Sequence, residues 1–231
     1  MARKENKKYT TQEAFETLES TAKNSERFVE KNAKLLSIIF GVIVLAAIGY
    51  FAYLNFIIEP KNKEAIQEVV TADRMYRQDS MQLALNGSAG AYLGFNQIID
   101  EYGGTDVANL AKFKAGVANY KLGNYQEAID NFKSFSTSEK VMSAVKEGSI
   151  GDALVQLGKK EEGLSSYVKA AKATDVQTIQ RIYTIKAAML GYEIKKYDEA
   201  ISLLEKYNSE YTEGLSSEPE KLYVLLTNAK Q

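Results

Sequence analysis

Ser143-Ala-Val-Lys146 is an S-x-x-K string, a spacing that can pair a serine nucleophile with a lysine base. None of the further motifs that accompany such enzymes is present, and the string falls within a helical segment. Two glycine-rich stretches, Gly87-Ser-Ala-Gly90 with Gly94 and Gly103-Gly104, match neither the dinucleotide fingerprint nor the phosphate loop. They read as turns between helices. The acidic pairs Glu161-Glu162 and Asp198-Glu199 lack calcium-loop spacing. They suit first helical turns, where negative charge complements the dipole. The chain has no Cys and no His. That removes disulfides, Cys/His zinc sites, His-dependent triads and Cys nucleophiles together. The residues therefore point to no enzyme, no cofactor and no metal. A membrane-tethered serine–lysine hydrolase stays as the remote alternative. Ser143→Ala discriminates it, since the change should abolish hydrolysis and leave binding untouched.

Helices must carry whatever function remains. The 231 residues hold only two prolines, Pro60 and Pro219, so long stretches are free of helix breakers. Hydrophobic content of 45% with 26% charged residues is ordinary globular composition. A net charge of −1, with no basic stripe, gives no reason to expect nucleic acid.

From Leu35 to Ile58 the chain reads LLSIIFGVIVLAAIGYFAYLNFII, 24 residues without a charge. A helix of that length exceeds the ~30 Å hydrocarbon core of a bilayer. Tyr50 and Tyr53 lie toward one end, where amphipathic rings favour the interface. The run is too long and begins too late for a cleaved signal peptide. A single transmembrane helix over 35–58 is predicted, leaving a short segment 1–34 and a domain over 59–231. Segment 1–34 carries eight Lys or Arg against six Glu, a net of +2; residues 59–231 carry 21 against 24, a net of −3. The positive-inside tendency then places the N-terminus in the cytoplasm and the domain outside it. Thr10 and Glu13 fit a capping box, and Phe15, Leu18, Ala22 and Val29 recur on one helical face, making 1–34 partly amphipathic.

A period in the mid-thirties organises the domain. YKLGNYQEAIDNF (120–132), VQLGKKEEGLSSY (155–167) and YEIKKYDEAISLL (192–204) align. Their small residues Ala128, Gly163 and Ala200 each follow another small residue by twelve positions: Gly116, Gly151 and Ala188. Each precedes a large residue by four: Phe132, Tyr167 and Leu204. Ala91 and Phe95 suggest an earlier, divergent copy with a longer connection around Asn86–Gly90. This spacing predicts antiparallel helix pairs whose small residues let the backbones approach and whose large residue fills the space between units. One pair alone leaves an apolar face in water, so several must stack. A closing helix is expected over Ser217–Ala229, with Leu222, Leu225 and Leu226 apolar.

The series Gly116, Asn124, Tyr125, Ala128 and Phe132 resembles the tetratricopeptide repeat. The match recurs at Tyr197 and Ala200 and is looser where Lys160 replaces the aromatic. The expected fold is all-α: a single N-terminal transmembrane helix, then an α-solenoid of about four helical hairpins plus the closing helix. The layout, with LALNGSAGAYLGF (83–95) and IIDEYGGTDVANLAKFKAG (98–116), is similar to the YfgM-like ancillary subunits of the bacterial Sec translocon, of the Bacteroidota type. That resemblance implies a single-pass inner-membrane protein facing the periplasm. It implies translocon subunits, a periplasmic chaperone or exported polypeptides as partners. An anchored scaffold of an unrelated envelope complex is the alternative.

In such a solenoid the first helix of each pair lines a groove. The register projects Leu110, Phe113, Val117, Tyr120 and Lys121 from one unit. It projects Val145, Gly148, Asp152, Val155 and Gln156 from the next, then Ile182, Ile185, Met189, Tyr192 and Glu193. That groove suits hydrophobic peptide segments or a partner helix. Capture of a carboxylate terminus, which some tetratricopeptide cochaperones perform with Lys and Asn, is not expected, because those places carry Phe113 and Val117.

Overall fold

A computed structural model of the chain describes residues 11–210 and 217–230, with side chains for residues 29–209 and 218–230. The capping box at Thr10 and the Phe15, Leu18 and Ala22 side chains of the amphipathic stripe lie outside those described. The chain divides into two compact units, Met1–Ile57 and Ile58–Gln231.

The first unit contains a single long helix, α1 (Thr11–Tyr53), followed by a π-helical stretch, Leu54–Ile58. It is long and apolar enough to cross a membrane, and its apolar side chains are uncovered; Phe56 is 81% exposed. The second unit opens with α2 (Glu59–Arg77), and Pro60 sits in its first turn, where a missing N–H is tolerated. Pro60 cannot donate a hydrogen bond to the preceding turn, and the five residues before α2 wind more widely, as π-helix.

The second unit is all-helical. After α2 come α3 (Met81–Asn86), α4 (Phe95–Glu101), α5 (Asp106–Lys121), α6 (Tyr125–Ser134), α7 (Lys140–Gln156), α8 (Lys160–Lys172), α9 (Gln177–Glu193), α10 (Tyr197–Glu210) and α11 (Ser217–Lys230). Consecutive helices pack as pairs, α5 with α6, α7 with α8 and α9 with α10, and each second helix also packs on the next first helix. The arrangement is an α-repeat. Helices α2, α5, α7 and α9 form one row, each touching the next.

Four first helices share one register. Each carries a buried small residue (Ala72, Gly116, Gly151, Ala188), and seven positions later the backbone turns left-handed at Asp79, Gly123, Gly158 and Lys195. There the helix closes with a long-range backbone bond, as from Asn124 N–H to the Asn119 carbonyl and from Lys159 N–H to the Leu154 carbonyl. The small residues are needed for packing. A Cβ at Gly116 would lie 2.6 Å from the Phe132 ring, and one at Gly151 2.7 Å from Tyr167.

The divergent first pair differs from the expected one. Ala91, expected at the place of Ala128, is exposed in the connection between α3 and α4; the first helix of this unit, α2, carries its small residue at Ala72, the counterpart of Gly116. An extra short helix, α3, and a closed loop over 87–94 separate α2 from its partner α4, which shifts the period. Gly87 and Gly94 cross so tightly in that loop that a Cβ on Gly94 would meet the Gly87 nitrogen at 2.3 Å. Phe95 is fully buried at the start of α4, as its place in the repeat requires. The closing helix α11 packs on α9 and α10. Leu226 is fully buried there and Leu222 half-buried, while Leu225 faces out.

Candidate protein-binding face

The groove positions lie on the row of first helices. Thr105 fixes the start of α5: its hydroxyl donates to the Tyr102 carbonyl (2.7 Å) and accepts from Ala108 N–H (3.1 Å). On α5, Leu110 is 45% exposed and Lys121 is exposed. Phe113, Val117 and Tyr120 are half-buried and packed against the Ala128, Ile129, Phe132 and Ile150 cluster. The Phe113 ring lies 5.5 Å from Phe132 and 5.3 Å from Phe135, centroid to centroid. Tyr120 meets Tyr125 edge-on at 5.5 Å.

On α9 the exposed stripe is more open. Ile182 (45%), Met189 (58%) and Tyr192 (43%) recur at helical spacing on one side, with Ile185 half-buried between them. The middle helix presents less apolar surface. Gly148 of α7 is covered by Tyr183 of α9, whose ring stands where a side chain at 148 would go. Val145, Asp152 and Val155 are half-buried and Gln156 exposed.

No known family model matches the chain, and no curated protein sequence does either.

The charges of this face are tied to one another across helices. Lys114 of α5 bonds Asp73 of α2 at 2.6 Å, and Lys121 bonds Asp79 at 2.6 Å. Lys186 of α9 reaches both oxygens of Asp152 of α7, at 2.7 and 2.9 Å. Glu193 pairs with Lys160 of α8. These lysines also lie over rings of the intervening helix: Lys114 is 6.0 Å from the Phe95 centroid, Lys186 5.4 Å from that of Tyr167. The Tyr167 hydroxyl donates to Asp152 at 2.6 Å. Burial and this bond to a carboxylate hold its pKa well above the ordinary tyrosine range. Burial raises Tyr183 and Tyr120 as well, with the Asp152 charge adding to both.

The cross-helix ion pairs were not foreseen from the sequence, although the signal was available. Asp73 and Asp152 each follow the small residue of a first helix, and Lys114 and Lys186 each precede one by two positions. As for the S-x-x-K string, the Lys146 ammonium donates to the Phe135 carbonyl at 3.2 Å. Among the described residues no cluster of acidic side chains is disposed to hold a metal ion.

Proposed function

We propose that the chain is a non-catalytic, membrane-anchored protein-binding subunit that serves protein export at the bacterial inner membrane. The anchor is the helix over 35–58, the N-terminus is cytoplasmic, and the repeat domain faces the periplasm. The observation that carries this reading is the row of first helices. It exposes Leu110, Ile182, Met189 and Tyr192, while the charged side chains at its groove positions, Lys121, Asp152 and Glu193, are engaged in ion pairs within the protein. Such a surface holds apolar segments of another chain and offers ionic partners little. Tethering supports the reading too, because an anchored domain meets emerging segments at high effective concentration, so weak contacts suffice.

The partners this reading names are translocon subunits with a periplasmic chaperone or exported polypeptides. Affinity purification of the membrane-inserted protein in mild detergent, with mass spectrometry of co-purifying proteins, tests it. Enrichment of translocon subunits and a periplasmic folding factor is the expected result. Recovery of a different stable envelope complex, without translocon, would overturn the export assignment and favour a scaffold.

A further inference from the structure

The four first helices repeat one device with one omission. The residue after the small position and the residue two before it on the next first helix are joined in two of three junctions. Between α2 and α5 they are Asp73 and Lys114; between α7 and α9 they are Asp152 and Lys186. In each case the lysine ammonium lies over the large aromatic of the intervening helix, Phe95 or Tyr167. At the α5–α7 junction the same two places hold Val117 and Ser149, and the intervening aromatic is Phe132. A cavity of about 90 Å³ lies there, lined by Val117, Tyr120, Phe132, Ser149 and Asp152.

We propose that this gap is a subsite for one aliphatic side chain, of valine or leucine size, from an apolar segment held on the row of first helices. The inference rests on the binding function proposed above and names what that face selects. At both neighbouring junctions the place above the aromatic floor is occupied by a lysine side chain; here the protein supplies the floor and Ser149 is too short to cover it. The bound chain supplies the cover. The charges decide against a basic occupant. Asp152 Oδ1 already accepts from Tyr167 and Lys186, and Oδ2 accepts from Lys186, so an incoming ammonium would meet Lys186 beside a neutralised carboxylate. Size decides against an aromatic one, since an apolar cavity that holds benzene measures about 150 Å³.

The test uses the full chain in detergent micelles. The probe is a fluorescein-labelled, uncharged peptide of about a dozen Ser and Asn residues bearing leucines, read by anisotropy. Versions carry Ala, Val, Phe or Lys in place of one leucine. Leucine and valine versions should bind about tenfold more tightly than the alanine version, a difference of about 1.4 kcal/mol. Val117→Asp with Ser149→Lys installs the missing pair in the register of its neighbours and should erase that preference while the helical signal persists. If the double variant does not fold, Ser149→Leu fills the gap with a neutral side chain and should do the same. Met189→Glu tests the face itself and should weaken all versions alike. Loss on Met189→Glu with the leucine preference intact in the filled variant overturns the subsite alone. Unchanged binding in both variants overturns the binding face. Tighter binding of the lysine version would overturn the aliphatic assignment in favour of a cation on Asp152.

Discussion

A methyl group added at Gly148 has nowhere to go. Built on the backbone, it stands 1.9 Å from Cε1 of Tyr183, 2.3 Å from Cζ and 2.6 Å from the hydroxyl. Ordinary carbon contact is ~3.5–4 Å, so ring and methyl must separate by about 1.5–2 Å. Tyr183 is buried among Ala144, Tyr167 and Leu190 and cannot swing aside without opening that cluster. Overpacking of this kind costs about 1–3 kcal/mol, and replacing a mid-helix glycine by alanine returns at most about 1 kcal/mol. Gly148→Ala should therefore destabilise the repeat domain by about 1–2 kcal/mol, a fall of roughly 2–8 °C in Tm for a domain of this size. Hydrogen exchange localises the effect: amides of α7 and α9 should lose protection before those of α2 and α5. Gly148→Ala combined with Tyr183→Leu should recover part of the loss, because the clashing ring is gone. A Gly148→Ala protein as stable as the parent, or stabilised, would refute the seating of Tyr183 on Gly148 and with it the approach of α7 to α9.

Lys195 holds a left-handed backbone (φ 59°) at the position where the preceding two pairs have glycine, so Lys195→Gly should stabilise the protein by about 1 kcal/mol, read as a raised Tm. Tyr167, Tyr183 and Tyr120 keep their protons to higher pH when folded than the ordinary value of 10.0. Their contribution is complete below pH 10 and declines as pH rises beyond it, so urea midpoints should fall above pH 10 and Tyr167→Phe should flatten that fall. Placing Leu45→Arg with Ile48→Asp in the apolar helix adds about 5–7 kcal/mol to the cost of membrane insertion. It should move the protein into the carbonate-soluble fraction, and unchanged fractionation would contradict the anchor. Ser143→Ala should leave peptide binding unchanged, measured with the same labelled peptides.

Much of the fold was legible because its determinants are local in sequence. The uncharged run over 35–58 announces itself by length, and the pairs after residue 106 by the recurrence of Gly116, Gly151 and Ala188 with Phe132, Tyr167 and Leu204. The first pair was harder to place. An inserted helix and a closed glycine loop change its spacing, so Ala91, aligned with Ala128, falls in a connection and not in a second helix. The exposure of the candidate groove positions was legible in outline only, because periodicity tells which helix side a residue occupies but not what the next helix lays over it. Gly148 disappears beneath Tyr183 for that reason, and Phe113 leans into a ring cluster built from two other segments. The ion pairs join residues 33 to 42 positions apart, so they show only when the repeat register is laid across successive units.

The missing pair between α5 and α7 also has a mechanical meaning. A stack of helix pairs deforms as a chain of springs in series, and strain gathers where the stiffness is least. Two of the three junctions carry an ion pair from one first helix to the next; among the described residues the third has the apolar seam over Phe132 and a side-chain hydrogen bond between Tyr120 and Gln156. The junction without an ion pair is the one expected to yield first when the domain bends. On the proposed reading, a guest side chain wedged beside Phe132 would act as a splint, so that binding and stiffening of the array would be one event.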